Sequence, residues 1–170
     1  MQLHVLAFAS AVKLDVDACM SDKEDAPAPA PSPDVTQAWV NLMRAQQRLL
    51  ALIEHDLKAA GLPGLGWYDV LWELSRAHGG RLRPFEIEER TLLAQYNLSR
   101  LIDRLEREGL VERQVFDDDG RGRWVLITEK GRALRSAMWD VYAKAIAKHV
   151  GARLPDAGAA QLADLLSRLL

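Results

Sequence analysis

The sequence predicts a mainly α-helical fold with one small β hairpin. Over most of the chain after residue 34, apolar residues recur every three to four positions, which is the spacing of helices that bury one face. One region instead contains two short β-forming runs around a turn rich in glycine and aspartate. With 170 residues and 49% hydrophobic content, the chain has enough material for one domain with its own core.

The start of the chain differs in composition from the rest. Residues 21–34 are mostly proline, alanine and charged residues, which cannot bury apolar surface. Residues 1–33 are therefore predicted to form a disordered or extended tail, and residues 34–170 a single domain.

The first three helices are predicted from periodicity and from end signals. The first begins with Asp34 as its N-cap and ends near Gly61. The second spans about residues 67–77, and a short third helix follows Pro84.

The fourth helix has the clearest division into two faces. Leu98, Leu101, Ile102 and Leu105 form one apolar stripe, and Gly109 is predicted to end the helix. The opposite face is polar and consists of Asn97, Ser99, Arg100, Asp103, Arg104 and Arg107.

Only one region has the pattern of β-strands. Residues 111–116 and 124–127 are predicted to pair as a hairpin with a long polar tip. A long helix then follows Thr128 and ends near Gly151, and the last helix covers about residues 156–170.

This order of elements predicts a winged helix-turn-helix at about residues 62–128, between N- and C-terminal dimerisation helices at about 34–60 and 129–170. A DNA major groove about 12 Å wide admits one helix with a polar outer face, and the fourth helix has one. Arg121 and Arg123 in the hairpin tip suit a narrow groove, whose negative potential favours guanidinium groups.

The charge distribution supports a nucleic-acid partner although the whole chain carries a net charge of −2. Most of the basic residues between positions 76 and 135 are arginine, which suits phosphate and base recognition. The same arginines would also suit a solvated helix face with ion pairs, such as Arg100 with Asp103 and Arg104 with Glu108. A winged-helix module that binds only proteins is the alternative function.

Two motifs resemble the signature of MarR-type transcriptional regulators. One is the run from Leu98 to Arg113, and the other is the wing sequence Asp-Asp-Gly-Arg-Gly-Arg followed by Leu126 to Gly131. The resemblance covers about residues 35–170. It implies a homodimeric repressor that binds a pseudo-palindromic operator in double-stranded DNA and is often released by small phenolic or other aromatic ligands.

The resemblance also implies roles for individual residues. Asp119 would orient the wing arginine Arg121. The residues predicted to face DNA are Gln95, Tyr96, Asn97, Ser99, Arg100, Arg104, Arg121 and Arg123.

A ligand pocket and a dimer interface are predicted outside the DNA-binding part. An aromatic-walled effector pocket is expected in the cleft beside the dimer helices, with Trp39, His55 and Trp72 as its candidate residues. The last helix carries an apolar stripe that would be prone to aggregation if exposed, so it is predicted to pair with its symmetry mate. The residues of this predicted interface are Leu162, Leu165, Leu166 and Leu169.

Several classes of protein are not indicated. The single cysteine, Cys19, allows neither an intramolecular disulfide nor a multi-thiolate zinc site. The sequence has no recognisable catalytic motif, so we predict no enzyme activity, no cofactor and no metal. No apolar run approaches the ~20 residues that a membrane span needs, and the expected location is the cytoplasm.

Overall fold

The computed structural model describes residues 30–91, 95–115 and 123–170, with the side chains of residues 95 and 96 left undescribed. Most of the predicted tail at residues 1–33 therefore lies outside the described residues. The helices are α1 (Pro33–Ala59), α2 (Leu65–Arg76), α3 (Pro84–Arg90), α4 (Gln95–Arg107), α5 (Glu129–Ile146) and α6 (Asp156–Ser167). The strands are β1 (Arg81–Leu82), β2 (Val111–Val115) and β3 (Arg123–Ile127). The predicted mainly α-helical fold with a small β element is confirmed.

The sheet has three strands in the order β1-β3-β2, all antiparallel to their neighbours. The predicted hairpin is confirmed, because Val111 of β2 pairs with Ile127 of β3. The prediction of a single strand region was wrong: β1 adds an edge strand in which Leu82 pairs with Val125. A strand of two residues has too little period-2 pattern to be recognised, and its pairing with β3 is a tertiary contact.

The N-cap of α1 also differs from the prediction. Ser32 is the N-cap, and its hydroxyl accepts a hydrogen bond from the backbone N–H of Val35 at 3.3 Å. Pro33 then occupies the first turn, where its missing N–H and fixed φ are compatible with a helix start. Asp34 is therefore not the cap. It lies in that first turn, where its negative charge interacts favourably with the positive end of the helix dipole.

Two hydrophobic clusters form the core. The first lies inside α2, α3, α4 and the sheet and has Leu71, Ile87 and Leu105 fully buried. The second joins α1, α2 and α5 around Leu57 and Met138. Trp67 and Leu134 are half-buried and pack against both clusters, so the two parts of the core meet at these side chains.

Polar contacts attach α1 to the rest of the fold. The carboxylate of Glu54 accepts a hydrogen bond from the backbone N–H of Leu65 at 2.8 Å, at the start of α2. Asp56 accepts from Lys148 and lies 2.8 Å from Nε2 of His149, in the turn that follows α5. Within the described ranges, none of the helices has the length and apolar character needed to cross a membrane.

Candidate nucleic-acid interface

The helix α4 separates apolar from polar side chains as the sequence predicts. Leu98, Ile102 and Leu105 are buried in the cluster that α4 shares with α2, α3 and the sheet. The outer face leaves four predicted DNA-facing side chains exposed: Asn97, Ser99, Arg100 and Arg104. Helix α4 therefore presents a polar, arginine-bearing surface on a rigidly packed support.

Ion pairs fix the second half of α4 to the sheet. Arg113 of β2 binds Asp103 at 2.5 Å and also pairs with Glu106. Asp103 is thus engaged by a strand residue. The suggested pair between Arg104 and Glu108 is not among the ion pairs of the described residues.

The end of α4 is tied to the start of α5. The hydroxyl of Thr128 donates to the carbonyl of Gly109 at 2.8 Å, and the backbone N–H of Thr128 donates to the carbonyl of Leu110 at 3.1 Å. The ammonium of Lys130 donates to the carbonyl of Glu108 at 2.6 Å. A displacement of α5 would therefore be transmitted directly to α4.

Several predicted DNA-facing residues cannot be located in the structure. Asp119 and Arg121 lie outside the described residues, as do the side chains of Gln95 and Tyr96. Arg123 is described and is exposed at the first position of β3.

A cluster of two arginines around a tryptophan escaped the sequence analysis. The guanidinium carbons of Arg81 and Arg83 lie 4.7 Å and 5.3 Å from the ring centre of Trp124. Both distances are in the range of cation–π contacts. The alternation of arginine and leucine at residues 81–83 was the available signal for an edge strand with cationic side chains on one face.

The structure does not bring the three predicted pocket residues together. Trp39 and His55 are both on α1, sixteen positions apart, which corresponds to about 24 Å along a helix. Both are exposed. Trp72 lies on α2 and stacks on Tyr68 at 6.0 Å.

That stacked pair belongs to an aromatic cluster between α2 and α5. Tyr68 also contacts Trp139 and Tyr142, with ring centres 6.1 Å and 5.2 Å away. Burial raises the pKa of both tyrosine hydroxyls, so both are neutral near pH 7. Arg135 lies over Trp72 at 5.4 Å, and its Nε is buried without a hydrogen-bond partner among the described residues.

An open cleft of about 690 Å³ lies at the junction of the two hydrophobic clusters. Its walls come from the loop between α1 and α2, from the end of α4 and from α5, and they are mostly apolar. They include Leu62, Trp67, Leu110, Lys130, Ala133 and Leu134. None of the three predicted pocket residues lines this cleft.

Three of the four predicted dimer residues lie on α6, a helix with little intramolecular support, and Leu169 follows its last residue, Ser167. Helix α6 has no buried residue. Leu162, Leu165 and Leu169 are 41%, 56% and 72% exposed, and Leu166 is half-buried. On α1, Val35 is also more than half exposed.

Comparison with known proteins identifies sequence relatives. Residues 60–122 match the family model described as MarR family. The HTH-type transcriptional repressor YetL of Bacillus subtilis (strain 168) is 27% identical over 97 residues. That alignment spans 57% of this chain and only 58% of the length of the curated relative.

Solved structures share the fold over most of the chain. Sco3205, a MarR family transcriptional regulator from Streptomyces coelicolor solved in complex with DNA, has 21% identity and a TM-score of 0.75, covering 86% of this chain and 91% of that one. BpsR of Bordetella bronchiseptica, whose DNA binding is regulated by 6-hydroxynicotinic acid, has 24% identity and a TM-score of 0.70, covering 78% and 98%. The family-model match over residues 60–122 and the shared fold make the chain similar to winged helix-turn-helix regulators of the MarR family.

Proposed function

We propose that this protein is a homodimeric transcriptional regulator that binds double-stranded DNA in a sequence-specific manner. The observation that carries the proposal is the division of α4 into a buried apolar face and an exposed polar face. In this assignment α4 is the recognition helix, and Asn97, Ser99, Arg100 and Arg104 contact base edges and phosphates in the major groove. The wing residues Arg121 and Arg123 contact the adjacent minor groove.

The comparisons support the same assignment. Sco3205 has this fold and was solved in complex with DNA, and YetL is a transcriptional repressor. By analogy with YetL, the protein is proposed to act as a repressor.

Dimerisation is proposed to use α1, α5 and α6. The exposed leucines of α6 form an apolar surface that favours burial. A second copy of the chain buries it through a two-fold interface, in which the same surface of each copy meets the other. Such a dimer places two recognition helices about 34 Å apart, one turn of DNA. The operator is then a pseudo-palindrome.

An effector site is proposed in the junction cleft instead of at Trp39, His55 and Trp72. The cleft is apolar, has the volume of a small-molecule site and contacts both hydrophobic clusters. Lys130 and Glu108 place one positive and one negative side chain at its wall, so a small aromatic molecule with hydrogen-bonding groups, such as a phenol or an aromatic acid, fits its chemistry. BpsR, whose DNA binding responds to 6-hydroxynicotinic acid, supports an effector of this class.

The test is a selection of bound duplexes from a pool of random sequence, followed by fluorescence anisotropy on the enriched duplex. A regulator enriches a pseudo-palindrome and binds it with a Kd of about 10 nM that rises steeply with salt. If no sequence is enriched and unrelated DNA competes equally well, the protein is not a specific DNA-binding regulator. That result would favour the protein-interaction alternative.

A further inference from the structure

The outer surface of the sheet carries charge that neither the recognition helix nor the wing tip explains. Along β3, Val125 and Ile127 are buried, whereas Trp124 and Leu126 are half-buried on the other face. Arg81 of β1 pairs in register with Leu126 and lies on that same outer face. We call Arg81, Arg83 and Trp124 the sheet-edge cluster; Arg123, the neighbour of Trp124 on β3, alternates to the opposite face.

The cluster holds its guanidinium groups by aromatic contact. Arg81 and Arg83 are exposed, and both contact the ring of Trp124. A cation–π contact orients a guanidinium and leaves its charge uncancelled, whereas an ion pair cancels that charge. Arg113, on the opposite face of the sheet, shows the other arrangement, because two carboxylates bind it.

Among the described residues, the shallow pocket beside the cluster is lined by more basic than acidic side chains. Arg81 and Arg123 take part in no ion pair within the part of the chain that the structure describes. The shallow pocket beside Trp124 is lined by His78, Arg90 and one acid, Glu86. Glu86 is half-buried, and its carboxylate accepts a hydrogen bond from the backbone N–H of Arg83 at 2.7 Å. On β2, Glu112 lies two strands away from Arg81 in the same register.

The cluster lies next to the proposed DNA-binding surface. Arg83 immediately precedes Pro84 and Phe85, which form one wall of a groove whose other wall includes Ser99 of α4. On the other side, Trp124 is adjacent to Arg123, which begins the strand that follows the wing. The cluster therefore connects the α3–α4 groove to the base of the wing.

We propose that the sheet-edge cluster binds the DNA phosphate backbone at the flank of the operator, between the contacts of α4 and those of the wing. This inference rests on the proposed DNA-binding function. Guanidinium groups match phosphate oxygens with two parallel hydrogen bonds, and a pre-oriented guanidinium loses less side-chain entropy on binding. Such contacts fix the position of the protein on the duplex and carry no sequence information.

The test uses Arg81→Gln, which keeps a planar group over Trp124 and removes the charge. The probe is a mixed-sequence duplex of about 40 base pairs, because a phosphate contact acts on any sequence. In a plot of log affinity against log salt, the slope should become shallower by about one unit in Arg81→Gln, and by about two units when Arg83→Gln is added. Hydroxyl-radical footprinting on the selected duplex should show loss of protection at its flanks.

Two controls separate this contact from a general loss of charge or of fold. Arg81→Lys keeps the charge and should keep the wild-type slope. Arg76→Gln removes an exposed arginine that contacts another tryptophan, Trp72, at 5.5 Å and lies 3.9 Å from the carboxylate of Glu73, and it should also keep the wild-type slope. Circular dichroism spectra and melting temperatures equal to those of the wild type show that the variants are folded.

The outcomes distinguish the two proposals. If the wild type binds and Arg81→Gln keeps both its slope and its footprint, the inference is wrong and the proposed function stands. The inference is also wrong if Arg76→Gln lowers the slope as much as Arg81→Gln does. If the wild type binds neither the mixed nor the selected duplex, the proposed function is wrong and the inference fails with it.

Discussion

Gly131 lies where α5 meets the end of α4, at a position where only a hydrogen atom fits. A Cβ added there would be 2.2 Å from the carbonyl oxygen of Leu110, a backbone atom that cannot rotate away. That oxygen already accepts a hydrogen bond from Thr128. Gly131→Ala should therefore lower the free energy of unfolding by about 1–3 kcal/mol, measured by urea denaturation.

The matched control is Gly151→Ala. A Cβ at Gly151 would meet no atom within 4 Å, and its backbone is not in the left-handed region. This change should leave the free energy of unfolding the same or raise it by up to about 1 kcal/mol. Equal stabilities for the two variants would mean that the contact with Leu110 is not a constraint.

Asp56 gives a pH-dependent contribution to stability. Hydrogen bonds from His149 and then from Lys148 hold the pKa of the Asp56 carboxyl below its usual value near 3.8. Because the pKa is lower in the folded state, the stabilisation is complete above the unfolded value and is lost as the pH falls through the folded value. The stability difference between wild type and Asp56→Asn should be largest near neutral pH and shrink below about pH 4.

Urea denaturation at pH 7, 5 and 3 measures that difference. Asp140→Asn is the control, because Asp140 is exposed on α5 and forms no ion pair with any described residue. A wild-type advantage over Asp56→Asn that persists undiminished at pH 3 would contradict the assignment.

The helices and strands that could be predicted from the sequence are those with a long local pattern of apolar residues. The four-residue apolar stripe of α4 and the two β runs around a glycine-rich turn identified the recognition helix and the hairpin from residues close in sequence. The strand β1 and the contacts of Arg81 and Arg83 with Trp124 depend on β3, more than forty residues later, and the alternation at residues 81–83 is too short to predict that pairing. The pocket prediction grouped residues by type and overlooked the distance along α1 between Trp39 and His55.

A single substitution on α6 can test the proposed dimer. Leu166→Asp places a charge in the apolar stripe of that helix, so it should turn a dimer of twice the 19.0 kDa chain mass into a monomer. Operator affinity should then fall by at least about a hundredfold, because two half-sites are no longer bound by one particle. Light scattering coupled to size-exclusion chromatography and anisotropy measure the two effects.

A matched charge on the other face of α6 is the control. Ala160 is exposed and lies on the side that carries Asp164. Ala160→Asp should leave mass and affinity unchanged. A Leu166→Asp monomer with wild-type operator affinity would show that dimerisation through α6 is not needed for DNA binding.

Across the whole molecule, one helix joins the proposed dimer and DNA-binding parts. Thr128 and Lys130, at the start of α5, bind the end of α4, and Leu134 packs against both hydrophobic clusters. The junction cleft lies against the same segment. A ligand there alters DNA affinity only if it binds more tightly to one spacing of the recognition helices than to the other.

Filling the cleft tests this coupling. Ala133 is exposed and lines the cleft, so Ala133→Leu extends into it without crowding the core. Ser136→Leu is the control, since Ser136 is exposed on the same helix and does not line the cleft. The probes are a panel of benzoic acids, hydroxypyridine carboxylic acids and phenols, added to the protein bound to its selected duplex, with release measured by anisotropy.

The wild type and Ser136→Leu should release DNA in the presence of the same compounds, whereas Ala133→Leu should stay bound to DNA when those compounds are added. The DNA affinity of Ala133→Leu without ligand should stay within about threefold of the wild type, a difference of less than 1 kcal/mol. If Ala133→Leu responds like the wild type, effectors bind elsewhere, and the buried Nε of Arg135 in the aromatic cluster becomes the better candidate for an anionic ligand. If no compound changes the affinity of the wild type, aromatic effectors of these classes do not control this protein, and regulation must depend on changes in its concentration or on another class of ligand.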